Sequence, residues 1–208
     1  MHVALLGDSI LDNGVYTEGE PDVVTHLRRI LPDSAHTTLC AIDGSTTAHI
    51  DGQIDRIPLS ATHLVVSVGG NDALGNIDLL STPVRSTTQA LSLFDERIGR
   101  FEREYRAALE TVLALQLKTA ICTIYNGDLD PPQAPLARIL LMMFNDVILR
   151  FGFEHGLTVI DLRIIFNEKA DYANPIEPSG QGGLKIASAI AAWLGIREPK
   201  PSARVLIG

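Results

Sequence analysis

The chain is poor in the residues that mark several large classes of function. Aromatic residues fill only 5% of its 208 positions, too few for a surface that binds nucleic acid by stacking bases. Lys and Arg number 17 against 25 Asp and Glu, a formal net charge of −8. No dense basic cluster offsets that charge, so polyanions and acidic membrane surfaces are repelled on average; a small neutral or cationic substrate is easier to accept. No apolar run nears the roughly 20 residues that a membrane span needs. Met1-His2 leads straight into an apolar strand with no basic stretch of the kind that opens a secretion signal, and the expectation is a cytoplasmic protein. The only two cysteines, Cys40 and Cys122, lie in strand-like apolar runs. They read as small buried hydrophobes rather than a disulfide or a metal site, and the sequence implies no metal and no cofactor.

What is present suffices for one α/β domain over residues 1–208. Apolar residues make up 46% of the chain and charged ones 20%, enough to bury a core and cover a surface. Five short, mostly continuous apolar runs, at 3–6, 37–42, 63–68, 119–124 and 157–162, have the character of strands covered on both faces. Helical patterns separate them. Pro21 stands at a first turn before Val23, Val24, Leu27, Ile30 and Leu31. Further helices are predicted over about 46–54, 95–117 and 181–194, and one more carries Leu136, Ile139, Leu140, Met143, Phe144, Val147 and Phe151. The alternation predicts a parallel sheet with helices on both faces. The core runs from about 3 to 194, and residues 197–208, with Pro199 and Pro201, form a loosely attached tail.

In such a sheet the site lies beyond the carboxyl ends of the strands. Three segments fall at that edge: Gly7-Asp8-Ser9 after the first strand, Gly44 after the second and Gly69-Gly70-Asn71-Asp72 after the third. A fourth, Asn174-Pro175-Ile176-Glu177-Pro178-Ser179, precedes the last helix. Each alone is ordinary turn chemistry; four at one edge are not well explained by turns. A serine at the end of a parallel strand exposes its hydroxyl beside backbone N–H groups that can bind an anion. Acyl transfer needs that combination of nucleophile and oxyanion donors. The N–H of Ser9 or Ile10, the backbone at Gly44 and the Asn71 amide are the candidate donors, and Asp8 and Asp72 are candidate substrate-binding groups.

These blocks, in this order, resemble those of the SGNH (GDSL-type) serine hydrolases over most of the chain. The resemblance implies a flavodoxin-like α/β/α sandwich with five parallel strands in the order 2-1-3-4-5. It also implies metal-free esterase, lipase, thioesterase or deacetylase chemistry, with Ser9 as nucleophile and Gly44 and Asn71 completing the oxyanion hole. The family's last block reads Asp-x-x-His, the histidine acting as base. Here Asn174 stands at the Asp position and Glu177 at the His position. Of the six histidines only His49 falls near the mouth, and all six read as surface residues.

Two readings follow. In one, a small ester, thioester or acetylated molecule is cleaved through a Ser9 acyl-enzyme, with Glu177 as an unusual base and the Asn174 NH₂ donating to its carboxylate. In the other, the domain is catalytically silent and binds an acyl or carbohydrate ligand. Glu177 can alternatively serve as a cap for the helix that starts near Ser179. Residues 74–94 read as a long connection that either packs as a surface insertion or walls an acyl pocket. The sequence gives no oligomeric state.

Overall fold

A computed structural model describes residues 1–198. Most of the predicted tail, residues 199–208, lies outside the described residues. Five strands, β1 (His2–Gly7), β2 (His36–Leu39), β3 (His63–Ser67), β4 (Lys118–Cys122) and β5 (Thr158–Ile160), form one sheet in the order β2-β1-β3-β4-β5. Every pairing is parallel. The helices are α1 (Val23–Ile30), α2 (Ile50–Ile54), α3 (Gly70–Leu74), α4 (Thr87–Leu113), α5 (Gln133–Glu154), α6 (Leu162–Ile165) and α7 (Gly180–Trp193).

The strand alternation explains the three layers. Successive side chains of a strand point to opposite faces. In β1, Ala4 and Leu6 join one buried cluster with Phe101, Tyr105 and Leu109 of α4 and Phe144, Val147 and Phe151 of α5. Val3 and Leu5 join a second cluster with Val23, Val24 and Leu27 of α1 and Ile186, Ala187 and Ile190 of α7. Each strand of the interior is therefore apolar on both sides, which is why the runs read as continuous rather than alternating.

Helix starts differ from the sequence reading in two places. Asp22 caps α1 by accepting from the Thr25 N–H at 2.8 Å, so Pro21 sits one residue outside the cap. Helix α4 begins eight residues earlier than predicted, at Thr87, where the Ser86 side chain accepts from the Gln89 N–H at 3.1 Å. The predicted long connection is correspondingly short. It holds α3, a 3₁₀ turn over Ile77–Leu80 and residues 81–86. Within it Leu79 is buried, while Leu91, now on α4, is 65% exposed.

Candidate active site

At the carboxyl end of β1 the backbone is forced into one path. Gly7 has φ of +132°, and a Cβ there would lie 1.8 Å from the Ser67 carbonyl oxygen. Only glycine fits, and the close approach lets the Asp8 N–H donate to that same oxygen at 3.1 Å. The Gln53 side chain, 1% exposed, clamps the same peptide: its Oε1 accepts from the Gly7 N–H at 2.7 Å and its Nε2 donates to the Gly7 carbonyl at 2.8 Å. That amide also donates to Ser45 Oγ at 3.1 Å, which ties the loop after β2 to the nucleophile loop.

The chain then turns tightly. The N–H groups of Leu11 and Asp12 both donate to the Asp8 carbonyl, at 3.1 and 3.0 Å, and Asp8 Oδ1 accepts from the Ile10 N–H at 3.1 Å. The Ser9 N–H has no acceptor among the described residues. Asn13, fully buried, joins three segments: its Oδ1 accepts from Val23 N–H at 2.9 Å, and its Nδ2 donates to the Pro178 carbonyl at 3.3 Å. Sequence reasoning missed both Gln53 and Asn13. A polar residue three after Ile50 on the inward face of α2 was the available signal for Gln53.

After β3, Gly69 (φ +122°) leads into α3. Asn71 Nδ2 donates one hydrogen to the Ser45 carbonyl at 2.9 Å, leaving its second hydrogen for a ligand. Asp72, expected to bind substrate, has a different task. Its carboxylate accepts from the Thr47 hydroxyl at 2.7 Å and the Thr47 N–H at 3.1 Å, pinning the loop after β2 to α3. Gly44, with φ of +76°, is exposed on that loop and does not line the cleft described below.

The last block is held by its neighbours. Tyr125 donates its hydroxyl to the Ile176 carbonyl, and the Asp128 N–H donates to the Pro175 carbonyl at 2.9 Å. Contrary to the expectation from sequence, Asn174 does not donate to the Glu177 carboxylate. Its Oδ1 instead accepts the backbone N–H groups of Ile176 and Glu177, at 3.0 and 3.1 Å. An Asx turn of this kind follows from the short side chain, which reaches its own backbone two and three residues on more readily than another side chain. The capping alternative for Glu177 also fails. Ser179 is the N-cap of α7, accepting from the Gly182 N–H at 3.1 Å.

Glu177 is therefore free to face the nucleophile. It is 8% exposed, its carboxyl group lies beside the Ser9 hydroxyl, which stabilises the charged form, and Oε2 is buried with no hydrogen-bond partner among the described residues. Burial raises its pKa above the ordinary carboxylate value, the Ser9 hydroxyl opposes that rise, and the charge of Asp43 adds to it. Asp43 itself accepts from Tyr16 Oη at 2.7 Å. Asp8 is driven further: burial, with the charges of Glu177 and Asp72 assisting and the Ile10 N–H opposing, pushes its pKa up to about 8. It is mainly protonated at neutral pH.

Asp8, Ser9, Asn71 and Glu177 line one end of a cleft. The rest of its lining is almost wholly apolar, from Leu74, Ile77 and Leu80 on one side and Ala137, Leu140 and Leu141 of α5 on the other. No histidine lines it. His49 bonds Thr46 at 2.9 Å, His26 bonds the Gly180 carbonyl at 3.0 Å, and His155 bonds the Phe151 carbonyl at 2.9 Å. Among the described residues no group of three or more His, Cys, Asp or Glu side chains is arranged to hold a metal ion, and no helix is long and apolar enough to cross a membrane.

The fold has counterparts among solved structures. An extracellular lipase from Streptomyces rimosus superposes with a TM-score of 0.69 at 13% identity, covering 92% of this chain and 99% of the lipase. The acetyl xylan esterase AlAXEase gives 0.69 at 19% identity, over 95% and 100% of the two chains. A mutant of Axe2, an acetyl-xylooligosaccharide esterase from Geobacillus, gives 0.68 at 17% identity, over 97% of each. At these identities the likeness concerns the fold. No curated protein sequence matches the chain significantly. The model of the GDSL-like lipase/acylhydrolase family, however, matches residues 5–182, a span that includes both the Ser9 loop and the Glu177 loop, and the chain belongs to that family.

Proposed function

We propose that the protein hydrolyses an ester or thioester of a small molecule through an acyl-enzyme on Ser9, with Glu177 as the general base. One observation carries this reading: the buried Glu177 carboxylate lines the same cleft as Ser9, its charged form is stabilised by the Ser9 hydroxyl, and its Oε2 has no hydrogen-bond partner among the described residues. Ser9 Oγ attacks the ester carbonyl as its proton passes to Glu177. The oxyanion is received by the unoccupied Ser9 N–H and the second Asn71 amide hydrogen. Glu177 then returns the proton to the departing alcohol or thiol. A water molecule then attacks the acyl carbonyl as its proton passes to the same carboxylate, and Glu177 hands that proton to the departing Ser9 Oγ as the acid is released. Burial supports the role, because a carboxylate whose pKa is raised is a stronger base than one in water. The charge of Asp43 near Glu177 disfavours an anionic leaving group.

The second reading, a silent domain that binds an acyl or carbohydrate ligand, is favoured by one observation, the absence of any histidine from the cleft. Labelling with a fluorophosphonate probe separates the two. An activated Ser9 is modified in the parent and not in Ser9→Ala. A parent that stays unlabelled under conditions where the fold is intact supports the silent reading.

A further inference from the structure

The comparison folds include both a lipase and esterases of acetylated sugars, and the cleft distinguishes between those substrate classes. We propose, on the basis of Ser9 as nucleophile, that the apolar cleft receives the acyl chain of the ester and selects chains longer than acetyl over acetylated carbohydrates. The polar side chains of the cleft are Asp8, Ser9, Asn71, Tyr125, Asn126 and Glu177, and the rest of the lining is aliphatic side chains and glycine. One part of the lining is Leu74 at the end of α3 with Ile77 and Leu80 just after it, Leu74 and Ile77 being 40% and 57% exposed; another is Ala137, Leu140 and Leu141 of α5. The cavity between them is about 120 Å³. An acetyl group leaves those walls unfilled, whereas each methylene laid against them leaves water.

A sugar laid against the aliphatic lining fares worse, because the hydroxyls that face it lose their hydrogen bonds to water, and Asn71 and Asn126 can replace only a few of them. Even the one tyrosine in the lining is occupied, its hydroxyl donating to the Ile176 carbonyl. The polarity also sets which part of the ester goes where. The leaving group takes a proton from Glu177 and must stay at the polar end. The acyl chain carries no polar group beyond its carbonyl, so it takes the apolar direction. Leu136 and Ile139, on the same helix end, are 46% and 52% exposed, which extends the aliphatic character to the rim.

The test uses the intact chain and p-nitrophenyl acetate, butyrate and hexanoate, with the leaving group held constant. The expected result is a rise in kcat/KM of roughly three- to fourfold per buried methylene, and at least about tenfold from acetate to hexanoate. Ala137→Trp, at a half-buried position of the wall, is expected to bring the hexanoate-to-acetate ratio close to one. Leu80→Gln gives the same direction should the tryptophan disturb folding. In parallel, calorimetry on Ser9→Ala compares methyl hexanoate with methyl acetate. A flat or falling series in an active enzyme overturns this inference and leaves the hydrolase reading standing. Hexanoate binding that Ala137→Trp abolishes, in a protein with no turnover, supports the cleft assignment and overturns the hydrolase reading. Neither turnover nor binding overturns both.

Discussion

The loop that carries Ser9 and the loop that carries Glu177 meet in one cleft but are held by different means. The Ser9 loop is fixed through its own backbone: a glycine with no room for a Cβ, a peptide clamped on both sides by Gln53, and a turn closed by the Asp8 carbonyl. The Glu177 loop is fixed by other segments, through Asn13 at Pro178, Tyr125 at Ile176 and the Asp128 N–H at Pro175. None of these contacts involves the Glu177 side chain. Position 177 is thus a site whose place is set by backbone contacts and whose chemistry is set independently.

The contrast predicts where each loop breaks. The largest effect belongs to Gly7→Ala, which combines a disfavoured φ with a clash against backbone; a loss on the order of 4 kcal/mol is expected, read as a lowered denaturant midpoint with an unchanged slope. Gln53→Leu comes next, since it leaves the Gly7 N–H buried without a partner and the Gly7 carbonyl with only the Ile42 N–H at 3.1 Å; thermal or chemical melting should show a loss of about 2 to 3 kcal/mol. Asp8→Asn should act in the opposite direction. A raised carboxyl pKa favours the folded state fully below its ordinary value of 3.8, and that contribution is lost as pH rises toward about 8. The neutral amide removes that dependence, so between about pH 5 and pH 7 the stability of the variant should rise relative to the parent by about 2 kcal/mol. An unchanged pH slope would mean that Asp8 is ionised in the folded protein. The smallest effect is Asn174→Ala, which opens an Asx turn on an externally anchored loop: about 1 kcal/mol, with a fall in kcat from a less ordered Glu177.

The architecture was legible because its signals are local. Continuous apolar runs separated by helical stripes define a parallel sheet, and the family resemblance supplied the strand order that the structure has. The start of α4 was not legible, because its first turns are polar and exposed and its Ser86 cap has the composition of a loop. Of the candidate residues, Asp8, Ser9, Asn71 and Glu177 line one cleft, while Gly44, Asp72 and Asn174 do not, and several contacts were not legible. Asn174 and Glu177 were recognisable as a departure, yet the pairing inferred between their side chains gave way to a backbone turn that Asn-Pro commonly begins. Asp72 is occupied by Thr47, a partner 25 residues away with no local sign. The α5 stripe read as core is mostly buried from Leu140 onward, but Leu136 and Ile139 are 46% and 52% exposed, and Leu140 also lines the cleft with Ala137 and Leu141.

The rate of Ser9 modification by a fluorophosphonate as a function of pH tests the central claim, that Glu177 activates Ser9, most directly. The account predicts a rate that rises with pH through an inflection above the ordinary glutamate value of 4.5, since burial raises that carboxyl pKa. Glu177→Gln should lose the inflection and at least about a hundredfold of the plateau rate, the lower end of what general-base catalysis contributes. A Glu177→Gln protein that is modified as fast as the parent, with the same pH profile, would contradict it.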